Sequence, residues 1–562
     1  MLAPWLSKGL VSVAALVSPT SGGAPARRLP LLSPVPLLAA AVVGLGLILG
    51  WRGMDLPAQL YRIASFRANG LTLWDTQWFG GHFTLSYSVL FPAIAGLVGV
   101  PAVTVTAAAV AALAFDRLAV THLGSGGRPA AIVFAVGTAA QSAIGQLPFL
   151  AGEALGLCAC WAASRNRWAA AAVLALGASL TSPLAGAFVM IAMAGWALSR
   201  WPASRQPGRL VRAGVVILAG GLPTGVSAIL FPGQGIMPYP LVDYGWEMIV
   251  AGSLWLLAGR RYPSVRTGVL VFAAAATASE IIPSAVGGNI GRMEDVLAVP
   301  LAVAFLWPRR HLGRRLVLPL VAVPLVLSQW VPAWGAMTTN PGQPSTHQAF
   351  FAPLDAELTQ LAAAGPAGRV EVVPTKFHWE SVYVAPVMPL ARGWERQLDV
   401  AENPLFYRDA ADLDATSYRA WLLDNGVRFV ALADAPLDYS GVAEARLVAA
   451  GVPGLRLVWR SADWRLFQVE GSTGIVAAPA YLVSESGDRV VVATPQPGSV
   501  LVRDHYSADW EVTSGVGCVT PAPAPPGVQG GGTWIKVDTP QAGEVSLRLS
   551  LRPNRNGCPK SG

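Results

Sequence analysis

The first 340 residues are dominated by long stretches without a single Asp, Glu, Lys or Arg. Leu29 to Trp51, Thr76 to Phe115, Pro129 to Gly152, Trp168 to Ser199, Ala213 to Val242 and Leu316 to Leu354 are of this kind. A helix needs about 20 mostly apolar residues to cross a bilayer. These runs, with shorter ones that tolerate charges near their ends, predict eleven spans centred near residues 40, 105, 138, 156, 175, 191, 221, 251, 274, 301 and 324. Thr181-Ser182-Pro183 breaks one long run and predicts a tight helical hairpin.

From about residue 341 the period changes. Arg369 to Val373 reads as a strand, Ser417 to Asn425 as an amphipathic helix ending at Gly426, and Val427 to Leu432 as a buried strand. Ala443 to Ala450 reads as a helix, and Leu455 to Trp459 and Trp464 to Val469 as strands, which together predict a small α/β domain over residues 341–470. After Gly471 only alternating segments remain: Ala480 to Ser484, Asp488 to Thr494, Val500 to Asp504, Thr533 to Asp538 and Glu544 to Leu551. That pattern predicts an antiparallel β-sandwich over residues 471–562, with Pro521 to Gly532 as a long loop inside it. The expected fold class is thus an α-helical polytopic membrane protein. About 11 spans over residues 29–340 lead into a C-terminal extracytoplasmic α/β plus β-sandwich region.

Composition agrees. Only 13% of the 562 residues are charged and 53% are hydrophobic, against about 25% charged in an ordinary soluble domain. This excludes a soluble enzyme, a disordered chain and a nucleic-acid binder. Residues 1–340 hold 22 Lys and Arg against 9 Asp and Glu, a net of +13, and the remainder holds 18 against 23, a net of −5. The basic excess therefore belongs to membrane loops.

Placing Arg27 and Arg28 in the cytoplasm gathers Arg117, Arg128, Arg165, Arg167, Arg200, Arg205, Arg209, Arg212, Arg260, Arg261, Arg266, Arg309, Arg310, Arg314 and Arg315 on the same side. Only Arg52, Arg62, Arg67 and Arg292 fall in outer loops. The predicted protein sits in the cell membrane with its N-terminus cytoplasmic and its C-terminal domain outside. Lys8, the weak apolar run Gly9 to Val17 and Ala24-Pro25-Ala26 imitate a signal peptide, but cleavage there would leave Arg27 and Arg28 outside. Residues 1–28 read instead as a cytoplasmic tail. Cys158 and Cys160 lie on one span as core residues, whereas Cys518 and Cys558 are the pair outside, where disulfides persist, and are expected to be bonded. There is no CxxC pair or HxxxH cluster, so no metal ligands are assigned.

The chemistry-bearing segment is the first outer loop, Arg52 to Phe83, RGMDLPAQLYRIASFRANGLTLWDTQWFGGHF. Asp55-Leu56-Pro57 opens a helix with Asp55 as N-cap, and Gly70 closes it. Leu56, Leu60 and Ile63 make an apolar stripe suited to the membrane interface, and Trp74, Trp78, Phe79 and Phe83 are expected at headgroup depth. The loop places a carboxylate beside where a lipid headgroup would lie.

An early Asp, an interfacial helix containing Tyr61, and Gly70 followed by Trp74-Asp75 resemble the first outer loop of the GT-C class of glycosyltransferases. These polytopic enzymes use polyprenyl-phosphate sugars, and many carry a C-terminal outer domain. The resemblance implies that Asp55 is the base that deprotonates an acceptor hydroxyl. It implies a polyprenyl-phosphate-linked sugar, a cell-envelope glycan acceptor and membrane lipid as partners, with no nucleic acid. Many members have an acidic pair at the first position, where this chain has Asp55 and then Leu56. Whether a divalent metal takes part stays open.

Displacing a lipid phosphate requires positive charge near the leaving group. Arg292 in GGNIGRMED suits that role, with Gly287, Gly288 and Gly291 letting the backbone approach a ligand; Arg62 and Arg67 are substitutes. Asp75, His82 and Tyr61 complete the candidate substrate-binding set. Other readings stand beside these. Asp55 is a cap alone or a cap and base; Arg292 pairs with Glu294 or Asp295, or binds phosphate. Asp75 is a turn residue or second acid, and His82 an interfacial hydrogen-bonding residue or a ligand contact. Glu153 and Glu280 are ionisable groups near outer helix ends. His378, Trp379 and Glu380 line a sugar site or a packed strand edge. The leading function is a glycosyltransferase of the outer face. The alternatives are a transporter or flippase of a lipid-linked glycan, and a non-catalytic envelope scaffold.

Overall fold

A computed structural model describes residues 33–85, 87–199, 207–231, 233, 235–307, 312–407, 412–525, 532–551 and 558. The N-terminal tail with Arg27 and Arg28, and Arg200, Arg205, Arg309 and Arg310, lie outside the described residues.

The N-terminal region is helical. α1 (Val35–Ile48) is followed by α2 (Leu56–Asn69), a two-residue hairpin of β1 (Trp74–Asp75) and β2 (His82–Phe83), and α3 (Leu90–Val98). Ten further helices run in sequence: α4 (Val100–His122), α5 (Gly127–Ile144), α6 (Leu147–Ser164), α7 (Trp168–Thr181), α8 (Pro183–Leu198), α9 (Pro207–Leu230), α10 (Leu241–Ala258), α11 (Pro263–Ile281), α12 (Arg292–Leu306) and α13 (Leu312–Thr338). A helix covers each of the eleven predicted centres. Among the described residues four of them, α4, α6, α9 and α10, are long and apolar enough to cross a membrane. The region is that of a multi-pass membrane protein.

Small residues let these helices approach closely. Ala107, Ala108, Ala111 and Ala112 of α4 pack into one cluster with Ala130, Ala131 and Ala135 of α5, the interface chemistry expected where helices pack without a hydrophobic drive from water. α7 and α8 meet at Ser182, whose extended backbone and following Pro183 make the hairpin. The connections sort to two ends. At one end Asp55 N–H donates to Ile144 O (3.0 Å), Val89 N–H to Leu180 O (2.9 Å), Met237 N–H to Ser284 O (2.9 Å) and Ile236 N–H to Gln397 O (3.1 Å). At the other, Tyr262 Oη donates to Leu123 O (3.2 Å) and Ser199 Oγ lies 3.1 Å from Ser264 Oγ.

The C-terminal region is β-rich. α14 (Gln348–Ala363), β3 (Arg369–Val372), α15 (Glu380–Tyr383), α16 (Arg396–Glu402), α17 (Ala415–Asp424), β4 (Val427–Ala433), α18 (Val442–Ala450), β5 (Leu455–Arg460) and β6 (Trp464–Val469) come first. Their sheet has the order β3-β4-β6-β5, parallel only between β3 and β4. α17 starts at a capping box in which Asp414 accepts from Ser417 N–H and Ser417 Oγ accepts from Asp414 N–H.

Seven strands follow: β7 (Tyr481–Ser486), β8 (Arg489–Thr494), β9 (Gly498–His505), β10 (Trp510–Ser514), β11 (Cys518–Pro523), β12 (Thr533–Thr539) and β13 (Gly543–Leu549). They form antiparallel sheets of order β10-β13-β8-β7 and β11-β12-β9 around one apolar cluster. Strand β11 corrects the expected loop at Pro521 to Gly532, because its first residues pair with β12. Prolines are tolerated there since β11 is an edge strand. Cys518 and Cys558 are disulfide-bonded with Cα atoms 5.0 Å apart, which closes a loop of 40 residues worth roughly 3–4 kcal/mol in the chain-entropy model.

The loop from Arg52 to Phe83 joins these regions, and here the sequence expectation needs correcting. Three of the four aromatic residues expected against lipid headgroups are enclosed by protein instead. Trp78 and Phe79 are buried in the core of the α/β unit beside Phe350, Phe351 and Trp379, and Trp74 is buried in the sandwich core beside Trp510. The face of α2 is divided as well. Ala58 and Tyr61 pack into the α/β core, while Ile63 packs against Phe91, Ala95 and Leu147. α2 is therefore clamped between protein layers. Truncating a Trp buried this way to Ala costs about 3–5 kcal/mol.

Candidate functional site

The helix after Asp55 begins because Pro57 sets φ in its first turn and ends at Gly70, whose φ of 73° suits glycine. Asp55 occupies the N-cap position, yet its side chain makes no capping hydrogen bond and its backbone is already helical. The expected cap hydrogen bond, common to both readings of Asp55, is thus absent. The carboxylate instead accepts from Arg292 Nη2 at 3.4 Å, and both side chains keep part of their surface exposed.

Arg292 is the first residue of α12, after the 3₁₀ turn Gly287–Gly291. The ion-pair partner of Arg292 is Asp55, not Glu294 or Asp295. The glycines serve a different purpose from the one expected. A Cβ at Gly287 would strike the Met237 carbonyl, one at Gly288 would sit 3.1 Å from the Pro238 carbonyl, and one at Gly291 would strike the Glu247 carboxylate. They admit the α9–α10 connection and α10.

Burial raises the pKa of Asp55, and the nearby charges of Arg292, Arg62 and His378 pull it back part of the way. Arg62 pairs with Glu395 and lies over the Tyr87 ring, 4.0 Å from its centroid. Gln59 Nε2 donates to Tyr87 Oη at 3.1 Å. Arg67 bonds the Gly96 carbonyl at 3.0 Å, on the α3 side.

Tyr61 and Asp75 meet away from this pair. Tyr61 Oη donates to Asp75 Oδ2 at 2.7 Å, and Gln77 N–H takes the other carboxylate oxygen at 2.9 Å. Asp75 acts as a turn anchor here. Burial and the adjacent Asp75 charge raise the Tyr61 hydroxyl well above its ordinary range. Tyr61 stacks on Trp78, which stacks on His82. His82 lies buried opposite Asp75 in the β1–β2 pairing, with Nδ1 lacking a hydrogen-bond partner. Arg62, Ser65, Asp75, His82 and Thr84 line a small pocket there.

A second hollow lies among α6, α8 and α12, lined by Phe149, Glu153, Phe188, Val189, Met293, Val296 and Leu297. It is apolar apart from Glu153, which accepts from Gln141 Nε2 at 2.9 Å. Its upper end adjoins the ion pair: Met293 follows Arg292, and the Arg292 guanidinium stands 6.0 Å from the Phe149 ring.

The C-terminal region supplies a further side of the site, of which the sequence reached His378 and missed Trp394. His378 and Trp394 stack with ring centroids 3.5 Å apart at 8°. Trp394 Nε1 donates to the Met54 carbonyl at 2.6 Å, one residue before Asp55. Trp379, weighed as a sugar-stacking residue, is buried in the core with the Arg52 guanidinium 4.8 Å from its ring. The one sequence signal for this side was the polar triplet around His378; nothing local pointed to Trp394.

The residues around Asp55 do not fit a divalent metal. Leu56 follows Asp55, and the carboxylate is taken by Arg292. Among the described residues the only close group of three His, Cys, Asp or Glu ligand atoms is Cys518, Asp538 and Cys558, and the two thiols are spent in the disulfide.

No family model matches this sequence, and no curated protein matches it. Two solved structures of the oligosaccharyltransferase of the archaeon Archaeoglobus fulgidus are similar to it at 10% identity. One is tethered to an acceptor peptide containing the NVT sequon (TM-score 0.42, covering 71% of this chain and 68% of that one). The other, named AglB, is in complex with an inhibitory peptide and a dolichol-phosphate (TM-score 0.41, covering 71% and 69%).

Proposed function

We propose that the chain is a membrane glycosyltransferase that moves a sugar from a polyprenyl-phosphate donor to a hydroxyl of a cell-envelope acceptor on the outer face. One observation carries the reading: the Asp55–Arg292 pair stands at the upper end of an apolar hollow between helices. A carboxylate, a guanidinium and an adjoining apolar slot are what a lipid-phosphate donor and a hydroxyl acceptor require together. The Lys/Arg bias of the opposite connections supports an outer location for this end.

In the proposed reaction the acceptor hydroxyl attacks the anomeric carbon and its proton passes to Asp55. The bond from that carbon to the phosphate oxygen breaks, and the lipid phosphate leaves with the electron pair. Arg292 stabilises the developing charge, and the hollow accommodates the first isoprene units. A base positioned in this way contributes about 10²–10⁴-fold. No step passes through a metal.

The test is transfer from a radiolabelled polyprenyl-phosphate sugar pool by purified protein in nanodiscs. Wild type should transfer label and Asp55→Asn should lose transfer while folding normally. Unchanged transfer by Asp55→Asn removes the base from the mechanism. A wild-type protein that moves lipid-linked glycan across the bilayer and transfers none is a flippase instead.

A further inference from the structure

His378 has a backbone φ of +56°, uncommon outside glycine. Residues held in such conformations concentrate at functional sites, and the outlier motivates a hypothesis of use. Its surroundings over-determine it. Nε2 lies 3.3 Å from Asp438 and Nδ1 lies 3.4 Å from Glu380. Glu380 is itself fixed by the Thr375 hydroxyl at 2.6 Å and amide at 3.2 Å. Arg396 holds Asp438 at 2.8 Å from the far side. An imidazole with a carboxylate at each nitrogen is a double donor, which is the charged form.

The flat face of that ring carries Trp394, and Trp394 in turn grips the Met54 carbonyl. A buried charge network of the C-terminal region thus ends on the peptide that presents Asp55. Glu395, the next residue, pairs with Arg62 of α2. Two consecutive residues of one turn therefore reach into the first outer loop on either side of Asp55.

We propose that His378 and Trp394 form a positioning clamp by which the C-terminal region fixes the Asp55 peptide against Arg292. The clamp rests on the reading of Asp55 as the base, and neither residue is assigned contact with substrate. The geometry has an electrostatic partner. Burial alone would lower the His378 pKa, but hydrogen bonds to Asp438 and Glu380 outweigh it and raise it. The resulting cation joins Arg292 and Arg62 in opposing the rise at Asp55. The groups that face His378 are Glu380, Asp438 and, at longer range, Asp55; those that face Asp55 are Arg292, Arg62, His378 and the Tyr87 hydroxyl.

Two variants separate the parts. Trp394→Phe retains an aromatic ring for the stack and loses the donor to Met54. His378→Gln retains hydrogen bonding and loses the charge. Both are made in the full chain in nanodiscs, with thermal unfolding as the check on folding. The clamp predicts a kcat about ten- to a hundredfold lower in each with donor KM changed less than threefold. In His378→Gln the acid limb of the kcat/KM profile should move up by about half a unit to one unit, and in Trp394→Phe it should stay in place. Hydrogen exchange gives a readout that needs no turnover. Amides of the peptide spanning residues 54–60 should exchange at least fivefold faster in both variants. Wild-type exchange there, in folded variants, overturns the clamp whether or not the protein transfers sugar. Loss of the base assignment shows up separately, as unchanged transfer by Asp55→Asn.

Discussion

The guanidinium of Arg292 stands 3.4 Å from the carboxylate of Asp55, and 237 residues separate them in the chain. The pair couples the two residues: Arg292 counters the burial that raises Asp55, and Asp55 holds the Arg292 guanidinium in place.

Arg292→Ala should therefore do two things. Donor affinity falls because the cation at the phosphate is gone, and the acid limb of the kcat/KM profile moves to higher pH. The sign follows from the environment. Burial already raises Asp55, and the largest opposing charge has been removed, so the base stays protonated to a higher pH. Arg292→Lys should recover the charge and only part of the affinity, because a fork becomes a point donor. A pH profile that does not move places Arg292 outside the influence of the base.

Filling the hollow between α6, α8 and α12 should weaken donor binding and leave the chemical step alone. Ala192 lines it. Ala192→Phe is expected to raise the donor KM about tenfold, equal to about 1.4 kcal/mol, with kcat near wild type. Equal loss in kcat and kcat/KM would mean that the hollow shapes the transition state instead.

A third prediction concerns pH and cohesion at the junction of the first outer loop with the two C-terminal units. Arg369 of β3 and Asp504 of β9 form a fully buried ion pair at 2.6 Å. Glu485 of β7 shares the site, and burial together with the Asp504 charge raises its carboxyl well above the ordinary 4.5. A carboxyl raised by folding contributes stability that is full below its unfolded value and is lost as pH climbs toward its folded one. Stability of the C-terminal region should thus decline from about pH 4.5 upward, and Glu485→Gln should remove part of that decline. Thermal unfolding at pH 8 should show a gain of about 2–4 °C. A melting temperature with the same pH dependence in both proteins would exclude Glu485 as the source.

Orientation can be read directly. Single cysteines placed beyond residue 341 should react with an impermeant thiol reagent applied to intact cells. A cysteine at Arg261 should not, because that loop belongs to the end opposite Asp55. Labelling at Arg261 from outside would reverse the assignment and move the proposed chemistry to the cytoplasmic face.

The sequence made the local features legible and left the joints obscure. Apolar runs with few or no charges marked the long helices of the N-terminal region because the cost of a charge in hydrocarbon is paid residue by residue. Alternation marked most sandwich strands for the same local reason, while β11 was hidden by its prolines. Asp55 and Arg292 were both legible as residues of one and the same face, since charge counting sorts loops by side. Their salt bridge was not, and neither was the arrival of Trp394 at Met54, which depends on packing between segments 340 residues apart. The same gap explains the misplaced aromatics. A Trp-rich loop beside a membrane looks alike whether lipid or a later domain will cover it.

That loop sets a schedule for biosynthesis. Trp74 and Trp78 leave the ribosome early, and Trp510, which covers Trp74, follows more than 400 residues later. At about 5–20 residues per second the interval is on the order of 20–90 seconds. Through most of that time Trp74, Trp78 and Phe79 lack the cores that will enclose them. The rate of completing the C-terminal end therefore governs how long the part that carries Asp55 stays without its covering cores.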